Sequence, residues 1–87
     1  MLLMSKSIFT PEQEKLQELL RQIRQEAGLR QSELAKRLKV SQSYVSKYEA
    51  GEKRLDLIEL RRICQAIGIS LEEFVRRFED LLERDSR

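Results

Sequence analysis

The sequence predicts an all-α fold built from five helices. Breakers are scarce: three Gly and one Pro in 87 residues, in a composition 40% hydrophobic and 37% charged. Leu, Glu, Arg and Lys, all good helix formers, are abundant. Apolar residues recur at three- and four-residue spacing in five successive stretches, each opened or closed by capping residues. No stretch alternates as a strand would, and no repeat or low-complexity segment interrupts the pattern.

The first helix opens at Thr10-Pro11-Glu12-Gln13, with Thr as N-cap, Pro at the first helical position and Gln at the third. It runs to Ala27 with Leu16, Leu20, Ile23 and Ala27 inward, and Gly28 supplies a left-handed stop. The second spans about Gln31–Leu38, with Leu34, Ala35 and Leu38 inward. A tight joint, Lys39-Val40-Ser41-Gln42, leads to the third, about Gln42–Ala50, which Ser41 caps and Gly51 ends. The fourth opens on an Asp56/Glu59 capping box, places Leu57, Leu60, Ile63, Cys64 and Ile67 on one face, and closes at Gly68. Ser70-Leu-Glu-Glu73 opens the fifth, which fades near Arg84. Residues 1–9 are expected to be a flexible N-terminal segment, 10–84 the domain, and 85–87 a tail.

The joint between helices two and three carries the functional reading. Ala35 sits where two helices must approach closely, and Val45 reaches back into the angle between them. Such a pair is a helix-turn-helix, in which the second helix is offered to a major groove. On a helical wheel of the third helix, Val45 and Tyr48 point inward, whereas Ser43, Ser46, Lys47 and Ala50 lie opposite. That outer face is small, polar and partly basic, so it can approach base edges closely. Gln42 lies nearer the core by angle, but at the helix start its side chain can project past the terminus and pair with adenine. Glu49 lies at the edge of the apolar face and Arg24 at the matching edge of the first helix, a placement that predicts a partly buried ion pair.

Charge distribution points the same way. The net charge is only +2, but Arg21 to Arg54 hold nine basic residues against four acidic ones, while Leu55 to the end holds six against eight. The positive excess sits on the suspected reading unit, where a polyanion would be met. The chain has no His and one Cys, and that Cys falls inside an apolar stripe with Leu60, Ile63 and Ile67. No Gly-rich phosphate loop, nucleophile–base pair or metal-ligand set can be assembled, so neither catalysis nor a metal, cofactor or small-molecule ligand is expected. No run approaches the ~20 apolar residues of a membrane span, and the unpaired Cys64 suits a reducing cytoplasm. The expected partner is double-stranded DNA. A protein-binding adaptor or antitoxin component built on the same fold is the alternative.

Arg24 four residues before Gly28, Gln31-x-x-Leu34-Ala35, Val40-Ser41-Gln42-Ser43-x-Val45-Ser46-x-Tyr48-Glu49-x-Gly51, Leu60 and Gly68-Ile-Ser-Leu-Glu-Glu-Phe74 form an ordered set. The region from Leu16 to Phe74 thereby resembles the Cro/repressor-type, or XRE, helix-turn-helix family. The resemblance implies a five-helix lambda-repressor-like bundle, acting as a homodimeric transcriptional regulator on a near-palindromic operator. By position it assigns base contacts to Gln42, Ser43, Ser46 and Lys47, and an interhelical salt bridge to Arg24 and Glu49. Gln31 would touch a phosphate and buttress the reading helix. Arg30, Lys36, Lys39, Lys53 and Arg54 are further candidates for the DNA backbone. Tyr44, on the flank of helix three, is either another such contact or a residue at the core edge. Three positions depart from the family: Lys39 replaces the usual Gly, Arg30 the usual Ser/Thr cap, and Leu55 a common Pro. A non-Gly residue held left-handed costs roughly 1 kcal/mol, so Lys39 is expected either to relax the turn or to contribute charge near a phosphate.

The fifth helix gathers Leu71, Phe74, Val75, Phe78, Leu81 and Leu82 on one side and charges on the other. Ile58 is out of register with the inward face of helix four. Ile58, Phe78, Leu81 and Leu82 are therefore expected to form a two-fold symmetric dimer patch. The competing arrangement folds helix five over residues 2–9, where Leu2, Leu3, Ile8 and Phe9 offer partners.

Overall fold

The computed structural model describes residues 10–85. The N-terminal segment expected at 1–9, and residues 86–87 of the expected tail, lie outside them. Five helices follow in order: α1 (Pro11–Glu26), α2 (Gln31–Leu38), α3 (Gln42–Glu49), α4 (Leu57–Ile67) and α5 (Leu71–Asp85). There is no strand among the described residues.

The caps read from sequence set the helix starts. Thr10 Oγ1 accepts from the Gln13 N–H at 3.1 Å, and Ser41 Oγ from the Tyr44 N–H at 3.2 Å. The α4 box is complete: Asp56 Oδ1 accepts from the Glu59 N–H at 2.7 Å, and Glu59 Oε1 from the Asp56 N–H at 2.9 Å. At α5 Ser70 Oγ accepts from the Glu73 N–H at 3.0 Å, while the Glu73 carboxylate turns to Arg76. Arg30 has no acceptor to offer α2, so that start is held from the other side: Glu33 Oε1 accepts from the Arg30 N–H at 2.7 Å.

The turn after α2 keeps its left-handed residue despite the side chain. Lys39 sits at φ 61°, ψ 43°, which lets the Val40 N–H reach the Ala35 carbonyl at 3.0 Å. The strain is thus accepted at Lys39 rather than relieved by opening the turn.

Every helix contributes to one core: Leu19, Leu20 and Ile23 from α1, Leu34 and Ala35 from α2, Val45 and Tyr48 from α3, Ile63 and Cys64 from α4, and Phe74 from α5. Full burial of such a Leu, Ile or Phe is worth about 1.5–3 kcal/mol each. Helix α1 packs against both α3 and α5, α2 against α3 and α4, and α4 against α5. Three expectations are corrected. Leu19 is buried although it lies off the single face assigned to α1, because neighbours on two sides widen the buried arc. Ala27 is exposed, since it caps α1 beyond the last packed turn. Leu57, the first residue of α4, is 63% exposed because the helix start projects past the core. Cys64 is fully buried, and burial pushes its thiol up to about 11, which leaves it an inert apolar filler.

Candidate nucleic-acid interface

Helix α3 presents two chemically opposite faces. Val45, Tyr48 and Glu49 are buried; Gln42, Ser43, Ser46, Lys47 and Ala50 are exposed. The buried face is bolted down by a charged lock. Arg24 Nε donates to Glu49 Oε2 at 2.7 Å and Arg24 Nη2 to Glu49 Oε1 at 3.0 Å, a bidentate pair in which both side chains are buried. The third guanidinium nitrogen, Nη1, donates to the Leu29 carbonyl at 2.8 Å, in the turn between α1 and α2. Gln31 Nε2 donates to the same Glu49 Oε1 at 3.0 Å. The Glu49 hydrogen bond comes first among the influences that raise the Arg24 pKa further. One carboxylate at the end of α3 thereby ties together α1 and the first residue of α2. Arg21 Nη2 adds a long bond, 3.4 Å, to the Glu49 backbone carbonyl.

Around this fixed helix the candidate backbone contacts fall into two groups. Lys36, Lys39 and Arg30 are exposed, and Arg30 keeps its guanidinium 3.6 Å from Glu33. Gln31 is half-buried and engaged with Glu49, and Arg54 is exposed at the surface of the α3–α4 loop. Tyr44 and Lys53, both half-buried, are joined in a cluster on the flank of α3. The Tyr44 hydroxyl donates to Glu59 Oε2 at 3.1 Å, Lys53 Nζ lies 3.3 Å from the same oxygen, and that ammonium sits 5.2 Å from the Tyr44 ring centroid. Tyr44 also meets Tyr48 edge to face, with centroids 5.8 Å apart. Burial, followed by Glu59, raises the Tyr44 pKa. Glu59 was legible only as the reciprocal half of a capping box; its second oxygen gave no signal in the sequence.

The four residues assigned to the dimer patch separate. Ile58 is 58% exposed. Phe78 and Leu81 are partly buried against the chain's own core. Leu82 lines an open groove with Pro11, Glu12, Lys15 and Glu79 between the start of α1 and the end of α5. Among the described residues, Leu57, Ile58 and Val75 are the large apolar side chains left exposed. No group of His, Cys, Asp or Glu among them is placed to hold a metal, and no described helix is long and apolar enough to cross a membrane.

Comparison with known proteins decides the family. A helix-turn-helix family profile matches residues 20–74, which contain α2, the joint and α3 whole. The chain belongs to the XRE-type helix-turn-helix family. It is therefore a DNA-binding protein and not an enzyme. Among solved structures, an XRE-family like protein from Pseudomonas syringae pv. tomato shares 38% identity over 91% of this chain and 96% of its own, with a TM-score of 0.79. Two structures of the clp gene regulator ClgR from Corynebacterium glutamicum are also similar. One is 27% identical over 88% of this chain and 82% of its own, at a TM-score of 0.77; the other is 30% identical over 82% and 91%, at 0.72. No curated protein sequence matches the chain.

Proposed function

We propose that this XRE-family chain is a sequence-specific transcriptional regulator that binds a near-palindromic operator in double-stranded DNA as a homodimer. The observation that carries this is the contrast across α3. Its inner face is immobilised by the Arg24–Glu49–Gln31 lock, while Gln42, Ser43, Ser46 and Lys47 all stand outward. A rigid helix with short polar side chains can enter a major groove, and a side chain held in one pose can tell one base edge from another. The likeness to ClgR, described as a gene regulator, supports a regulatory role.

Arg30, Gln31, Lys36, Lys39, Lys53 and Arg54 supply the sequence-blind contacts that set register on the phosphates. Dimerisation places two such helices about 34 Å apart, on successive major grooves of one DNA face. Ile58, exposed at the start of α4, is the centre of the proposed two-fold contact, to which Phe78, Leu81 and Leu82 on α5 add whatever surface the chain's own core leaves open. The regulator works in the cytoplasm, where the DNA lies.

Binding to a panel of duplexes separates the two classes of contact. Lys36→Ala weakens all duplexes alike and flattens the salt dependence by about one unit per half-site. Gln42→Ala and Ser43→Ala change the preferred base instead, with about 1–3 kcal/mol at stake for each good bidentate pair. If both classes weakened every duplex equally, α3 would not be reading bases.

A further inference from the structure

Lys53 leaves the end of α3 in the α3–α4 loop, yet its ammonium returns to the first turn of that helix. It lies 5.2 Å from the ring centroid of Tyr44, two residues after Gln42. There it meets Glu59 Oε2 at 3.3 Å, with Lys53 and Glu59 side chains only 33% and 28% exposed. The same oxygen accepts the Tyr44 hydroxyl at 3.1 Å, and the other carboxylate oxygen accepts the Asp56 N–H at 2.9 Å. Glu59 is therefore fixed from both sides, by the α4 capping box and by α3. It is the carboxylate that Lys53 faces beside the reading end of α3, and it brings a negative charge next to a proposed phosphate contact.

We infer that Glu59 competes with DNA phosphate for Lys53, and so sets the strength of the sequence-blind part of binding. This rests on the proposed DNA-reading role of α3. When Lys53 turns to a phosphate, a half-buried ion pair is broken and the Glu59 carboxylate is left to take up a solvent cation. The gain in counterion release from that lysine is then partly cancelled. Glu59 is a positioning residue in this scheme. It holds Lys53 and Tyr44 in one pose in the free protein and makes the contact that follows costly. The base-reading side chains Gln42, Ser43, Ser46 and Lys47 are untouched by the exchange, so a larger share of operator affinity must come from them.

The test uses a mixed-sequence duplex, because a phosphate contact needs no operator. Glu59→Gln keeps an amide oxygen for the Asp56 N–H, and Gln is itself a capping-box residue at this helix position. Its affinity for the duplex is expected to rise by about threefold per half-site, of the size a partly exposed pair provides, with a steeper salt dependence. In a Lys53→Ala background the same substitution should give less than half that gain. An equal gain there would reduce Glu59 to a bare repulsive charge and overturn the exchange, as would no gain at all. Should Glu59→Gln unfold, NMR of the unaltered chain separates the outcomes. The Glu59 carboxyl carbon resonance is expected to move as duplex is added, and one that stays in place overturns the inference. Failure of the unaltered, folded chain to bind any duplex would overturn the operator reading as well, which distinguishes the two.

Discussion

At the scale of single residues, the decisive chemistry is a carboxylate shared between two donors. Glu49 is buried and accepts from Arg24 and Gln31. Such a pair is weak evidence for net stability, because desolvation offsets much of the attraction. Removing one partner is different, since it strands a charge. Arg24→Ala is expected to cost about 3–5 kcal/mol, while replacing both residues with apolar ones of similar volume costs far less. Chemical denaturation of the single and double variants checks this; similar losses for both would mean that the pair does more than orient α3. The positions of Arg24 and Glu49 were legible because each falls at the edge of an apolar face. Glu59 was not, because its partners Tyr44 and Lys53 stand fifteen and six residues away and meet it only after α3 and α4 have packed. The same reason hid Tyr44, whose flank position on the wheel fits both a phosphate contact and the bond to Glu59 that it makes.

Among elements, caps proved the most legible feature and packing breadth the least. The bounds of α2 are those expected, and α3 ends one residue early, at Glu49. Local hydrogen bonds fix such ends, and local sequence encodes them. Burial of Leu19 and exposure of Leu57 were missed because both depend on how many neighbours a helix has, which periodicity along one helix cannot express. The end of α3 illustrates a constraint of both kinds. Gly51 is buried at φ +82°, and a Cβ added there would collide with the Gln17 side chain on α1. Gly51→Ala therefore meets left-handed backbone strain of about 1–2 kcal/mol, and Gln17 must move aside as well. Thermal unfolding should show that loss. A melting temperature within a degree of the unaltered chain would mean that the α3–α4 loop re-forms with ease.

For the whole molecule, three carboxyls make stability depend on acidity. Hydrogen bonding to Gln22, then Arg77, lowers the Glu26 pKa; the Arg30 backbone amide lowers that of Glu33; and the Asp56 backbone amide lowers that of Glu59. A carboxyl held low in the fold contributes stability above its unfolded value, and gives it up as pH falls through the folded one. The melting temperature is thus expected to hold above the usual carboxylate value of 4.5 and to fall progressively below it. Added salt should shrink the part due to the exposed Arg77–Glu26 pair, which links α5 to α1. A melting temperature unchanged on acidification to about pH 3 would show that these bonds persist in the unfolded chain. The fold class itself was legible at this scale, since five capped amphipathic segments leave few ways to bury their apolar faces together. The division of the α5 stripe was not: Phe78 and Leu81 share it with Phe74 and are partly buried against the chain's own core, which periodicity along one helix does not tell from a surface turned to a second copy.

The most direct measurement is selection of bound duplexes from a random DNA library by the intact, folded chain, followed by sequencing. The outward face of α3 predicts enrichment of one short motif repeated about a dyad, with half-site centres about 10–10.5 base pairs apart. Recovery of duplexes with no common motif, held only by contacts that vanish with modest salt, would contradict base reading by Gln42, Ser43, Ser46 and Lys47.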